Sequence, residues 1–118
     1  MDASFLKERT QKFALRVVQL VESLPSKRTA DILGRQLLRC GTSVGANYRA
    51  ACRAKSKADF IAKMGIVEEE TDESIYWMEL LLLAGIISMD QTEPLIKEAH
   101  ELLAITVSSI NTARKHRS

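Results

Sequence analysis

The chain of 118 residues is long enough to bury one hydrophobic core and leaves little room for a second domain. Hydrophobic residues make up 46% and charged residues 27%, with only 5 glycines and 2 prolines, which excludes a disordered chain and argues against a turn-rich β-sheet protein. The net charge of +2 does not by itself indicate a nucleic-acid-binding protein.

The first half of the chain predicts two helices. In the first, residues 4–24, apolar side chains recur at helical spacing. Pro25 ends this pattern, and Ser26 is predicted to cap the second helix, residues 27–53. The predicted core positions of the two helices are Leu6, Phe13, Val17, Leu20, Val21 and Leu24, followed by Leu33, Leu37, Cys40, Val44, Tyr48 and Ala51.

The second half predicts two more helices. Ser56 followed by Asp59 is typical of a capping box that opens the third helix, residues 57–85. Ser88 or Asp90 caps the fourth, residues 90–114, whose first turn tolerates a proline. Their predicted core positions are Phe60, Met64, Val67, Thr71, Ile75, Met78 and Leu82, followed by Leu95, Ala99, Leu102, Thr106, Ile110 and Ala113.

Four long helices with short links predict an all-α fold, an antiparallel up-down-up-down four-helix bundle that forms a single domain over residues 1–118. One flank of the second helix collects small residues, Gly34, Gly41, Gly45 and Cys52. Glycine inside a helix costs roughly 0.5–1 kcal/mol relative to alanine, so this flank predicts a closely packed neighbouring backbone.

Two outer helix faces are more apolar than a solvated surface needs. Thr42 and Ala46 lie opposite the core of the second helix, and Tyr76, Leu80 and Leu83 lie opposite the core of the third. A single bundle cannot bury these faces, so the pattern predicts a subunit interface and a homo-oligomer. Scattered exposed apolar residues are the alternative.

Charge is unevenly distributed along the chain, with a net charge of +6 over residues 35–63 and −9 over residues 64–101. Within the acidic stretch, carboxylates four residues apart repel each other on a helix and need cations nearby. We therefore predict structural ion pairs, within or between subunits. The residues expected to take part are Arg35, Arg39 and Arg49 on one side and Glu68, Glu69, Asp72 and Glu73 on the other.

Sites for chemistry are not expected. Neither His100 nor His116 follows a glutamate by three residues, as di-iron bundles require, and no phosphate loop, nucleophile elbow or zinc spacing occurs. We therefore predict no metal, no cofactor and no enzymatic activity.

The sequence also predicts a cytoplasmic location without membrane contact. Cys40 and Cys52 are roughly 18 Å apart along one helix, so they cannot form a disulfide, and free thiols suit a reducing compartment. The longest apolar run, residues 80–87, is far shorter than the ~20 residues that span a bilayer.

Nucleic-acid binding is predicted at basic residues around the link between the second and third helices and in the C-terminal tail. These side chains could contact phosphates, and an oligomer would multiply a weak patch. A solvated basic turn is an equal alternative. The candidates are Arg49, Arg53, Lys55, Lys57, Lys63, Arg114, Lys115 and Arg117.

Several segments resemble one known family. They are Gln36-Leu-Leu-Arg39, Ser43-Val-Gly-Ala-Asn47-Tyr, Arg53-Ala-Lys-Ser-Lys57-Ala-Asp-Phe60-Ile and Asp72-Glu-Ser-Ile-Tyr76-Trp-Met-Glu-Leu80. The chain is similar, over nearly its whole length, to the bacterial four-helix bundle protein family. That family includes proteins encoded by intervening sequences of large-subunit ribosomal RNA and the accessory variability determinants of diversity-generating retroelements.

The resemblance implies a five-fold ring of four-helix bundles, hence a homopentamer. For the accessory-determinant branch it implies binding of RNA or DNA and a reverse transcriptase as protein partner. The predicted function is that of a non-enzymatic, nucleic-acid-associated accessory or scaffold protein. A purely structural or protein-binding oligomer is the alternative, and a metal-dependent enzyme built on the acidic residues of the third helix is a weaker one.

Overall fold

The computed structural model describes residues 3–116. Within that range the chain forms four α-helices and no strand, which confirms the all-α prediction. The helices are α1 (Ala3–Glu22), α2 (Arg28–Cys52), α3 (Lys57–Leu83) and α4 (Met89–Lys115). None of these helices combines the length and apolar character that crossing a membrane requires.

Each helix packs against the next one along the chain, and α4 returns to pack against α1. Thr10, near the start of α1, faces Gly45 in the second half of α2, and Leu24, just after α1, faces Gly34 in the first half. α1 and α2 are therefore antiparallel. The links of a few residues impose the same up-down order on α3 and α4, and the bundle measures 50 × 21 × 21 Å.

The core runs the length of the bundle along the four apolar stripes. Its largest fully buried side chains include Phe13, Leu37, Met64, Met78 and Leu102. Six positions predicted for the core are only half-buried, at the helix ends or stripe margins: Val21, Leu24, Leu33, Phe60, Leu82 and Ala113.

Buried hydroxyl groups extend the core beyond the predicted positions. Thr10, Ser74 and Thr92 are buried although they are polar. Each hydroxyl donates to the backbone carbonyl four residues earlier, which satisfies it without another side chain. The sequence predicts Thr71 and Thr106 for the core, where both are buried, but it does not predict these three polar positions.

The close neighbour predicted for the glycine flank of α2 is α1. A methyl group built on Gly41 would lie 2.8 and 2.9 Å from the two Cγ atoms of Val17. At Gly45 it would lie 3.2 Å from Thr10 Oγ1. The absence of side chains at these positions is what allows α1 and α2 to pack so closely.

The start of α2 differs from the prediction. Ser26 does not cap the helix, because Lys27 is the N-cap residue and makes no side-chain capping hydrogen bond. The Lys27 N–H donates to the Pro25 carbonyl at 2.9 Å, so the chain turns tightly there and α2 begins one residue later than expected. The predicted cap at Ser26 is therefore wrong.

The end of α3 and the start of α4 are fixed by backbone hydrogen bonds and a cap. The Ile86 N–H donates to the Leu81 carbonyl and the Gly85 N–H to the Leu82 carbonyl, both at 3.0 Å, the pattern of a Schellman motif. This motif needs a left-handed residue, and Gly85 supplies it with φ +74°. Ser88 then caps α4 through a capping box with Gln91.

Both cysteines are free, as their spacing on one helix predicts. Cys40 is buried, with its Sγ 3.3 Å from Ser74 Oγ, whereas Cys52 is half-buried. Burial raises the pKa of the Cys40 thiol, so this side chain is a protonated, small core residue at neutral pH.

Candidate nucleic-acid and subunit interfaces

The bundle brings the two predicted basic clusters together at one end. The up-down topology places the start of α1, the end of α2, the start of α3 and the end of α4 at the same end of the molecule. We call this end, with its basic side chains, the basic end. Its exposed basic side chains are Arg49, Arg53, Lys55, Arg114 and Lys115. Lys57 also lies at this end but is half-buried, and Arg117 lies outside the described residues.

The other end of the bundle has mixed charge. Glu22, Lys27 and Arg28 lie around the α1–α2 link, and Asp90 and Glu93 lie in the first turns of α4. The molecule is therefore polarised along its long axis, a property that the near-neutral net charge conceals.

Lys63, predicted to contact phosphate, is already engaged within the chain. Its Nζ donates to Asp59 Oδ2 at 2.7 Å. The Asp59 backbone N–H donates to Ser56 Oγ at 3.0 Å, and the Asp59 carboxylate accepts from the Lys55 N–H at 3.1 Å. The serine half of the predicted capping box is thus present, but the carboxylate reaches Lys55 instead of the N–H of Ser56.

The Lys63 hydrogen bond, and then the Lys55 N–H, lower the pKa of Asp59 below its ordinary value. Since the folded pKa is depressed, the stabilisation by Asp59 is complete above the unfolded value of about 3.9 and is lost as the pH falls through the folded pKa. We expect Asp59→Asn to reduce the free energy of unfolding at pH 6, and the difference from wild type to shrink below about pH 4. Urea unfolding of the wild type and the variant at a series of pH values measures this difference in the free energy of unfolding.

The control for this prediction is Asp90→Asn. The Asp90 carboxylate also lies in the first turn of a helix, α4, but among the described residues it forms no salt bridge with a lysine. Equal acid dependence in the two variants would contradict the role given to Asp59.

The acidic run of α3 is partly neutralised by one arginine of α2. Arg39 Nη1 lies 3.4 Å from Glu70 Oε2, and its Nη2 contacts Glu73. The Glu73 carboxylate also accepts from Trp77 Nε1 at 3.2 Å. Arg39 and Glu73, both predicted to form ion pairs, do so with each other.

The other predicted ion-pair residues behave differently. Arg35 pairs with Asp31 on its own helix, 3.0 Å away, and not with the acidic run. Within residues 3–116, Arg49 forms no salt bridge, and neither do the remaining acidic candidates. Those candidates are Glu68, which is half-buried, and the exposed Glu69 and Asp72.

A second arginine pair, between α1 and α4, was not predicted. Arg9 Nε and Nη2 bind the two carboxylate oxygens of Glu98 at 2.7 and 2.8 Å, and Nη2 also contacts Glu101 at 2.7 Å. The pKa of Arg9 is raised, chiefly by the hydrogen bond to Glu98. The sequence signal is the Glu-x-x-Glu spacing on α4, the same as that of Glu70 and Glu73 on α3.

The outer face of α3 is apolar and exposed in the single chain. Leu83 is 85% and Tyr76 56% exposed, and Leu80 is half-buried. Thr42 and Ala46 line an open groove of about 520 Å³ between α1 and α2, together with the charged Lys7, Glu8 and Arg49. The predicted interface residues thus form one exposed apolar face on α3 and part of one groove between α1 and α2.

Among residues 3–116, no group of three or more histidine, cysteine, aspartate or glutamate side chains is placed to hold a metal ion.

Comparison with known proteins places the sequence in a family. Residues 5–108 match the family model described as 23S rRNA-intervening sequence protein. A search of curated proteins finds no match. Among solved structures, the chain is similar to a protein with unknown function from the S23 ribosomal protein family of Bacteroides thetaiotaomicron VPI-5482. The identity is 36%, the TM-score is 0.87, and the match covers 94% of this chain and 99% of that one.

These two matches agree with the bundle geometry and with the motifs between residues 36 and 80. The chain belongs to the 23S rRNA-intervening sequence protein family.

Proposed function

We propose that this protein is a non-enzymatic, nucleic-acid-associated accessory or scaffold protein that acts in the cytoplasm as a homo-oligomeric ring. The observation that carries the proposal is the basic end. Five exposed basic side chains from α2, α4 and the link after α2 converge there. The family name, which refers to an intervening sequence of 23S rRNA, is consistent with an RNA partner.

The five exposed basic side chains are suited to phosphates rather than to a specific base sequence. If these side chains neutralise five phosphates, the slope of log K against log salt, where K is the association constant, is about −3.5 for a single strand and about −4.5 for B-DNA. Titration of fluorescent RNA and DNA at several salt concentrations, on protein of known mass, tests this. An assembled protein that binds neither probe at low salt would contradict the proposal.

The ring is proposed from the two complementary faces of the bundle. In it, the outer face of α3 (Tyr76, Leu80 and Leu83) of one copy packs into the α1–α2 groove of the next, against Thr42 and Ala46. The faces are different, so the contact is head-to-tail, and such a contact forms a closed ring when the rotation between neighbouring copies closes and an open filament when it does not. Five copies is the number that the family resemblance implies. A reverse transcriptase as partner stays a prediction of the same resemblance.

We expect Leu83→Asp to break the assembly into single chains. An unpaired carboxylate buried at each interface costs about 3–5 kcal/mol, while in the single chain the position is 85% exposed and tolerates a charge. Light scattering after size-exclusion chromatography measures the mass. The control is Leu15→Asp, at a leucine of α1 that is 56% exposed. A wild-type protein that is monomeric, or a Leu83→Asp variant of wild-type mass, would contradict the ring.

A structural or protein-binding ring is the second candidate. It is favoured by the ion pairs of Arg39 with Glu70 and Glu73 and of Lys63 with Asp59, which show that part of the charge asymmetry is neutralised within the chain. Under this function, nucleic acid has no effect on the assembled protein.

A further inference from the structure

A second surface feature lies at the basic end, in the contact between α1 and α4. These two helices form the most sparsely packed interface of the bundle. An open groove of about 340 Å³ lies along it, within the usual size range of small-ligand sites. Its aliphatic residues are Leu6, Ala104 and Ile105, its aromatic residue is Tyr48, and its serine and threonine residues are Ser108, Ser109 and Thr112. We call it the α1–α4 groove.

An exposed aromatic ring lies on the flank of α1 that faces α4. Phe5 precedes Arg9 by about one helical turn, so the two side chains lie on the same flank, and Arg9 contacts Glu98 and Glu101 of α4. Phe5 is 50% exposed. The last groove residue, Thr112, is followed within one turn of α4 by Arg114 and Lys115 of the basic end. An apolar groove, an aromatic ring and phosphate-binding cations therefore occur at the same end of the bundle.

The chemistry of the groove fits a nucleobase. A base is flat and apolar on its faces, and aromatic side chains stack on it whatever its identity. Serine and threonine hydroxyls both donate and accept hydrogen bonds, so they can satisfy the polar edge of any base. A base in a duplex is stacked and paired, and only an unpaired base can enter such a groove.

We propose that the α1–α4 groove, together with Phe5, receives an unpaired base, so that the protein binds single-stranded nucleic acid in preference to duplex. This inference depends on the proposed function, because the basic end supplies the contacts to the flanking phosphates. It adds a ligand class, single strands, and a base-contacting residue, Phe5.

The test compares the affinities of labelled oligo(U) and oligo(dT) with those of RNA and DNA duplexes of equal length at one salt concentration. Wild-type protein is expected to bind both single strands more tightly. Phe5→Ala is expected to lower single-strand affinity about tenfold, with little change for duplex and an unchanged salt dependence. The matched control is Leu15→Ala, on the same helix and similarly exposed.

Two further variants keep the test decisive. Ser108→Leu, at an exposed position, fills part of the groove and is expected to lower single-strand affinity as Phe5→Ala does. In Phe5→Trp, single strands are expected to quench the fluorescence of the introduced indole above the background of Trp77, which a merely structural role for Phe5 does not predict.

The outcomes separate the two claims. Equal affinity for single strand and duplex, or equal losses in Phe5→Ala and Leu15→Ala, would overturn the inference and leave the proposed function standing. Failure of the assembled wild-type protein to bind any probe would overturn both.

Discussion

The double variant Arg53→Glu, Lys57→Glu is expected to lower nucleic-acid affinity about a hundredfold at low salt. Arg53 is the C-cap residue of α2 and Lys57 is the first residue of α3, so both lie at the basic end. Two attractions between a cationic side chain and a phosphate are lost, and two repulsions between a carboxylate and a phosphate are gained. At a distance of about 4 Å in water, each of these interactions is on the order of 1 kcal/mol before screening by salt. A total loss of about 2.7 kcal/mol of binding free energy corresponds to a dissociation constant that is a hundredfold larger.

The salt dependence gives an independent readout of the same variant. The slope of log K against log salt is expected to fall in magnitude by about 0.7 for a single strand or about 0.9 for B-DNA when the Arg53 contact is lost, and by up to as much again for the half-buried Lys57. Folding is expected to persist, since Arg53 is exposed and a carboxylate at the first turn of α3 is favourable to the helix dipole.

The matched control reverses two charges at the other end of the bundle. Lys27→Glu, Arg28→Glu changes the net charge by the same amount, at the N-cap and first residue of α2. We expect it to weaken binding by no more than a few-fold, through long-range repulsion alone. If the two double variants weaken binding equally, the net charge and not the basic end controls affinity, and the proposed site is wrong.

Gly41→Ala is expected to destabilise the bundle by about 1–2 kcal/mol, although alanine is the better helix former. The added methyl group would meet both Cγ atoms of Val17 at 2.8 and 2.9 Å. Val17 is fully buried and β-branched, so it has no alternative rotamer without strain. Overpacking costs about 1–3 kcal/mol, which exceeds the 0.5–1 kcal/mol that alanine contributes to helix propensity.

Gly65→Ala provides the opposite expectation. Gly65 is inside α3, and a methyl group there would meet no atom within 4 Å in the protomer. The free energy of unfolding is expected to rise by about 0.5–1 kcal/mol. Urea unfolding at one protomer concentration measures both variants, because the stability of an oligomer depends on concentration. Stabilisation by both substitutions would show that α1 and α2 are not as closely packed as described.

The helices and their faces could be predicted because each depends on local periodicity. The spacing of apolar residues identified the core-facing stripe of α2 around Leu37 and Val44. The spacing of small residues identified the glycine flank of α2, which packs against α1. Local rules failed where tertiary contacts decide. The cap at Ser26 was wrong because the turn at Pro25–Lys27 moves the start of α2.

The candidate sites were only partly predictable for a related reason. Periodicity shows on which side of a helix a residue lies, but not the axial register between two helices. Repulsion within the acidic run indicated that α3 needs an arginine, and Arg39 supplies it. Nothing local indicated that Arg9 lies level with Glu98, since 89 positions separate them. The convergence of the two basic clusters, by contrast, follows from the predicted up-down topology, which places Arg53 after α2 and Arg114 near the end of α4 at the same end of the bundle.

Photo-crosslinking of bound single-stranded RNA to the assembled wild-type protein, followed by mass spectrometry of the peptides, tests most directly that the basic end contacts nucleic acid. We predict crosslinks in residues 3–7, 49–57 and 105–116, which meet at that end. Crosslinks concentrated in residues 22–35 or 79–97, at the opposite end, would contradict the account.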